Sequence, residues 1–146
     1  MSETAKDVTR KSAEAEEVRE AILAEVRQKL QGIVDDARKG TYELAVPLLA
    51  DDREIGKLDF DFGKLTGWEF VDAMDRAAPK KPAVDGISAE QALTLFAVAA
   101  AKVTEHVDAE DIMERLSMED AIKATQIGQL FFKSASRLGN LRITNA

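Results

Sequence analysis

The spacing of apolar residues in the first 39 residues predicts one long amphipathic helix. The apolar residues recur there at steps of four, four, four and three: Val18, Ile22, Val26, Leu30 and Ile33. This spacing places them in one stripe along a helix, and Gly40 is the natural end of that helix. The stripe either packs on the body of the protein or pairs with a helix of another chain. The pattern leaves both alternatives open.

A period of two then predicts a β-hairpin. Apolar residues alternate with others at two places: Tyr42, Leu44, Val46 and Leu48, and then Leu58, Phe60 and Phe62. Such alternation is typical of half-buried strands, and residues 51–53 have turn composition. Pro47 lacks a backbone donor, which favours an edge strand. Ile55 is out of phase with Leu58, so we expect a bulge or kink at Gly56. We expect Phe60 and Phe62 in the core.

Helix-capping signals divide the rest of the chain into four helices. These signals are Thr66 with Glu69, Ser88 with Gln91, Asp108 with Asp111, and Ser117. In the first of these helices the spacing predicts a packing face of Trp68, Val71, Met74 and Ala78, which Phe70 extends. The second, from Ala89 to about Val107, is apolar nearly all round, so we expect it at the centre of the core.

The last helix is expected to run from Met118 to about Leu138, where Gly139 and Asn140 end it. The elements together predict a mainly α protein with one β-hairpin, in the α+β class. Its order is a long N-terminal helix, the hairpin and a bundle of about four helices. We expect a charged amphipathic arm over 1–40, a hairpin-plus-helix domain over 41–140 with a linker at 79–87, and a flexible tail over 141–146.

Charge and composition exclude several classes of function. The 146 residues carry a net charge of -7, whereas a nucleic-acid surface needs a basic patch. The chain has no cysteine, which excludes disulfides and thiolate chemistry. The longest apolar run, Ala97 to Ala101, is far shorter than the ~20 residues that span a membrane. No apolar leader segment is visible. We therefore expect a soluble cytoplasmic protein that binds neither nucleic acid nor membrane.

The polar residues form no recognisable catalytic or metal-binding set. Asp59 and Asp61 face the same side of a strand, but a calcium loop would need more oxygen ligands and a closing Glu where Phe70 stands. His106 is the only histidine, and it has no partners for a zinc site. We expect no catalytic residue, no metal and no cofactor, and hence no enzyme.

Two segments resemble the tail assembly chaperones of tailed bacteriophages. The first is Leu44-Ala-Val-Pro-Leu48 followed by Leu58-Asp-Phe-Asp-Phe-Gly-Lys-Leu-Thr-Gly-Trp-Glu-Phe70. The second is an alanine-rich helix, a short helix over 108–116, and a final helix with Asp120 near its start and the pair Phe131-Phe132. The resemblance covers about residues 42–135. The charged N-terminal helix is not part of it, and the family often has Asp where Trp68 or Glu69 stands.

The resemblance implies a non-catalytic assembly factor in the host bacterial cytoplasm. Such chaperones bind the tail tube protein or the tape-measure protein before polymerisation and are absent from the mature virion. They are often made in two forms by a programmed frameshift. For the partner surface we expect two sets of residues, on the hairpin side Leu44, Val46, Leu48 and Trp68, and on the N-terminal helix Val18, Ile22 and Val26. Strand addition at the edge strand is one binding mode. The alternative is a cytoplasmic adaptor or oligomeric scaffold that dimerises through the N-terminal helix, so a homo-oligomer stays open.

Overall fold

A computed structural model describes residues 2–78 and 86–142, with side chains from residue 10 onward. Its elements are α1 (Ser2–Arg38), β1 (Lys39–Ala50), β2 (Arg53–Asp61), a 3-10 turn (Phe62–Lys64), α2 (Gly67–Arg76), α3 (Ala89–Val103), α4 (Ala109–Arg115) and α5 (Met118–Arg142). This order confirms the predicted α+β class. The expected linker falls largely on residues 79–85, and the expected tail largely on 143–146, both outside the described residues.

Helix α3 is the centre of the core, as its apolar circumference predicted. It contacts β2, α2, α4 and α5, and Leu95, Phe96 and Ala97 are among its buried residues. The helix ends at Val103, four residues earlier than expected. Thr104 is extended, and its hydroxyl donates to the Asp59 carbonyl at 2.7 Å. That hydrogen bond ties the end of α3 to β2.

The predicted capping boxes at Thr66, Ser88 and Asp108 are all formed, with both reciprocal hydrogen bonds present in each. The predicted packing face of α2 is confirmed for Phe70 and Met74 but is wrong for Trp68, Val71 and Ala78, which are exposed. The residues that face the protein are Phe70, Ala73, Met74 and Ala77, whereas Trp68 is 85% exposed. Phe70 stacks on Phe132 with ring centroids 6.1 Å apart. Because Trp68 is two positions away, it points to nearly the opposite side of the helix.

Helix α5 does not end at Gly139 and Asn140 but continues to Arg142. Its last turns pack against the second half of α1. Leu138 and Val34 are both buried, and Arg142 hydrogen-bonds Gln31. Tertiary packing therefore outweighs the helix-ending tendency of the Gly-Asn pair. Over residues 10–29, in contrast, every position of α1 is exposed.

Candidate partner-binding surface

The hairpin contains a large irregularity in β1. Residues 39–43 pair with 57–61, and residues 48–50 pair with 53–55. Residues 44–47, which we call the β1 bulge, therefore lie opposite Gly56 alone. An irregularity was predicted at this level of the hairpin, but the extra residues belong to β1 and not to β2. The two-residue turn has positive φ at Asp51 and Asp52, as a type I′ hairpin turn requires.

The buried carboxylate of Asp120 holds the β1 bulge. Its Oδ1 accepts hydrogen bonds from the Tyr42 hydroxyl at 2.8 Å and from the Ala45 backbone N–H at 2.9 Å. Its Oδ2 accepts from the Val46 N–H at 3.1 Å and from the Ser117 hydroxyl at 2.8 Å. The Asp120 side chain is completely buried. Its four donors satisfy both oxygens, so a buried charge is tolerated there.

The electrostatics of this cluster follow from burial and hydrogen bonding. Burial raises the pKa of Asp120, but the hydrogen bonds from Ala45, Tyr42, Ser117 and Val46 outweigh burial and leave that pKa below its usual value. Burial, the hydrogen bond to Asp120 and the negative charges of Asp120 and Glu119 raise the pKa of Tyr42 to about 12. Asp120 is therefore an ionised acceptor at neutral pH, and Tyr42 is a neutral donor.

The start of α5 presents Asp120 to the bulge. Ser117 caps the helix, since its hydroxyl oxygen accepts from the Asp120 N–H at 3.2 Å and its carbonyl accepts from the Ala121 N–H at 2.8 Å. A carboxylate in the first turn also benefits from the positive end of the helix dipole. Asp120 was expected to matter only because of the resemblance to the chaperone family. The available signal was an acidic residue three positions after a capping serine.

The bulge has few backbone donors left for strand addition. The N–H groups of Ala45 and Val46 are bound to Asp120, and Pro47 has none. Nearby, the Leu49 carbonyl accepts from the Arg115 guanidinium at 2.7 Å. Added strands rely on free main-chain donors and acceptors. A partner at the bulge would therefore be bound mainly through side chains.

The four residues predicted for the hairpin side of the partner surface have different environments. Val46 is 51% exposed, and Leu44 is half-buried. Leu48 is 1% exposed and lies in the core, so it is not available to a partner in this structure. The bulge interrupts the alternation, so Val46 points outward although Tyr42, Leu44 and Leu48, at the same period, face the protein. Leu49, which the period-two pattern did not select, is 55% exposed.

Trp68 belongs to a second surface. It lies in the first turn of α2 with Val71 three positions on, and Val71 is 46% exposed. Helix α2 packs on α3, whereas the bulge is bound to the start of α5. An indole this exposed is unusual because aromatic side chains bury large apolar areas. The structure does not join Trp68 to the hairpin residues in one contact cluster.

The predicted residues of α1 form a third exposed surface. Val18, Ile22 and Val26 are 59%, 55% and 39% exposed. The part of α1 that packs on α5 uses a different side of the helix, since Val34 lies about 120° around the axis from Ile22. Among the described residues, nothing covers this apolar stripe.

The polar residues considered for chemistry have structural contacts. Asp59 accepts from the Thr41 hydroxyl at 2.6 Å, and Asp61 accepts from the Gly63 N–H at 2.8 Å. His106 lies in the turn after α3, where its Nδ1 is 3.5 Å from an Asp51 oxygen. No group of three or more potential metal ligands occurs in the described part of the chain. Within residues 2–78 and 86–142, no helix has both the length and the apolar character needed to cross a membrane.

Comparison of the chain with protein-family models, with curated proteins and with solved structures gives no match. The fold and the exposed residues therefore define the class: a small acidic α+β protein with several exposed apolar surfaces, three of which, within the described residues, contain residues predicted to bind a partner. These three surfaces are the β1 bulge with Leu49, the Trp68 face of α2, and the stripe on α1.

Proposed function

We propose that this chain is a non-catalytic tail assembly chaperone of a tailed bacteriophage. It acts in the host bacterial cytoplasm, binds the tail tube protein or the tape-measure protein before assembly, and is absent from the mature virion. The observation that carries the proposal is the contact between Asp120 and the β1 bulge. Asp120 and the bulge belong to the two segments that resemble this family, and the residues joined are 75 positions apart in the chain.

The contact between Asp120 and the β1 bulge supports a role in protein binding, because it fixes the backbone of an exposed apolar site. Asp120 accepts hydrogen bonds from the consecutive backbone N–H groups of Ala45 and Val46, and the Val46 side chain stays half-exposed. Such a rigid apolar residue loses little conformational entropy when a partner covers it. The surrounding acidic chain, with a net charge of -7, favours a partner surface that is apolar with basic residues around it.

The test uses the tube and tape-measure proteins that the proposal expects in the genes flanking this chain. Each is co-expressed with a tagged wild-type chain and with Val46→Lys, and the captured amount is measured. We expect Val46→Lys to reduce capture at least tenfold, because burying an unpaired ammonium in an apolar contact costs more than about 1.4 kcal/mol. Leu130→Lys is the matched control, since Leu130 is 54% exposed on α5. Equal capture by all three chains would contradict the proposed surface.

The single tryptophan provides a second measurement. Trp68 is the only Trp in the chain, and at 85% exposure its fluorescence should resemble that of tryptophan in water. A blue shift on titration with the partner would place the Trp68 face in the contact. An unchanged spectrum, with binding intact, would restrict the contact to the hairpin side.

The second candidate is a cytoplasmic adaptor or oligomeric scaffold unrelated to phage. The exposed stripe of α1 favours it, because that stripe offers a surface for self-association. The flanking genes distinguish the two candidates. A tube gene upstream, a very long tape-measure gene downstream and a slippery heptamer before the stop codon support the chaperone.

A further inference from the structure

Residues 10–29 of α1 have no packing partner among the described parts of the chain. All positions from 10 to 29 are exposed, while α5 packs only on the later part of α1. An isolated helix is marginally stable in water, and most helical stability comes from packing an amphipathic face. The stripe should therefore be covered by another helix when the protein is in its working state.

The exposed face centred on Ile22 contains seven positions, and from here on the stripe means these seven. Leu30 of the predicted stripe is half-buried and lies about 80° from Ile22, so it is not among them. The seven positions are Lys11, Ala15, Val18, Ile22, Val26, Lys29 and Ile33. At 100° per residue they all lie within about 40° of Ile22 around the helix. They extend about 33 Å along the axis. The face that packs on α5, at Val34, lies about 120° away from Ile22, so a second helix can approach the stripe without displacing α5.

The stripe is symmetric about Ile22. Val18 and Val26 lie four residues on either side of it, Ala15 and Lys29 seven residues, and Lys11 and Ile33 eleven residues. A second copy of α1 that runs antiparallel, with Ile22 on the two-fold axis, therefore faces stripe residue with stripe residue throughout. A parallel, in-register pair would instead place each lysine opposite its own copy.

The charges also match a second copy. Residues 10–29 contain five cations and five anions, so this segment is neutral although the chain is strongly acidic. In the antiparallel pair Lys29 comes level with Ala15 of the other copy, and Glu14 of that copy lies about 1.5 Å further along the axis, on the same side of the stripe. Within the described residues, Lys29 has one exposed ion pair, with Glu25 at 3.6 Å, which contributes little. The lysine is thus free to change partners.

We propose that the chain forms a homodimer in which the α1 helices pair antiparallel, centred on Ile22, with Lys29 next to Glu14 of the second copy. This arrangement assigns Val18, Ile22 and Val26 to self-association and leaves the β1 bulge for a different protein. The same dimer is compatible with a chaperone and with a scaffold, so its test is independent of the test of the proposed function.

Disulfide trapping tests the arrangement, because the chain has no cysteine of its own. Ile22→Cys places the two thiols at the axis, and mild oxidation should give a covalent dimer. Val18→Cys alone should give at least tenfold less covalent dimer. The two copies of residue 18 are about 12 Å apart along the axis, which is too far for a disulfide. A mixture of Val18→Cys and Val26→Cys chains should cross-link again. Equal trapping of Val18→Cys and Ile22→Cys would overturn the antiparallel arrangement.

Sedimentation equilibrium of the cysteine-free chain tests the dimer itself. Lys29→Glu should weaken the dimer about tenfold, because both symmetry-related pairs become repulsive, and Glu14→Lys in the same chain should restore it. Both residues are exposed, and circular dichroism of each variant checks that the helix content is kept. A wild-type chain that stays monomeric at 100 times the concentration at which it acts would overturn the proposal. So would a chain with both Lys29→Glu and Glu14→Lys that dimerises more weakly than the chain with Lys29→Glu alone. Neither result would affect capture of the tube protein by the bulge.

Discussion

Replacing Asp120 by Asn is the most direct perturbation of the cluster that holds the β1 bulge. Each carboxylate oxygen accepts one backbone N–H and one hydroxyl, with distances of 2.8 to 3.1 Å. The amide nitrogen of Asn must replace one of these oxygens. A hydroxyl can rotate and accept from it, but the N–H of Ala45 or Val46 then faces a donor. One buried N–H without an acceptor costs about 1–3 kcal/mol, so we expect a loss of that size in the free energy of unfolding.

The single tyrosine allows the same cluster to be observed directly. Because Tyr42 is the only Tyr, the tyrosinate absorbance of the whole protein reports its ionisation. In the wild-type chain the pKa of Tyr42 should be about 12. In Asp120→Asn the negative charge and the accepting oxygen are reduced while burial remains, so the pKa should fall but stay above 10. Circular dichroism at each pH identifies the points at which the chain is folded.

The pH dependence of stability follows from these two shifts. The pKa of Tyr42 is higher in the folded state, so its contribution is complete below pH 10 and is lost as the pH rises from 10 towards 12. The pKa of Asp120 is lower in the folded state. Its contribution is present above the unfolded value of about 3.9 and is lost as the pH falls below it. A folded wild-type chain with Tyr42 titrating near 10, or the same pKa in Asp120→Asn, would refute this reasoning.

Two further predictions concern the backbone. A Cβ on Gly128 would overlap the Ala92 carbonyl of α3 and lie 3.0 Å from its carbon, so Gly128→Ala should lower the free energy of unfolding in urea by about 1–3 kcal/mol. Gly139→Ala, in the same helix with no atom within 4 Å, should raise it by roughly 0.5–1 kcal/mol; equal effects would contradict the close helix contact. Asp52→Gly should stabilise the hairpin by roughly 0.5 kcal/mol, because φ is 57° there. A lower midpoint of thermal unfolding would contradict it.

Local signals predicted the helix starts well because a capping box involves residues close in sequence. The hydrogen bonds at Thr66, Ser88 and Asp108 are present as their spacing indicated. The central position of α3 followed from its apolar circumference in the same way. Both features depend on short stretches of chain, and no distant segment has to be known.

The errors arose where distant segments decide the outcome. The bulge in β1 depends on Asp120, which is 74 residues from Val46. The rotation of α2, which exposes Trp68, depends on stacking between Phe70 and Phe132. The end of α5 depends on packing against α1. None of these contacts leaves a periodic signal in the sequence, so the exposure of Trp68 and the burial of Leu48 required the structure.

The backbone and the side chain of Val46 have different roles, and this difference determines how mutations at the bulge should be interpreted. Val46 contributes its backbone N–H to the Asp120 cluster, but its side chain is half-exposed, so a side-chain substitution leaves the hydrogen bond in place. Asp120 has the opposite character, since it is fully buried and reaches a partner only through the backbone that it holds. Val46→Lys should therefore remove binding at nearly unchanged stability, whereas Asp120→Asn should reduce both. If Asp120→Asn lost stability and still bound the partner like the wild type, Asp120 would be a structural residue only, and the bulge would not be the contact.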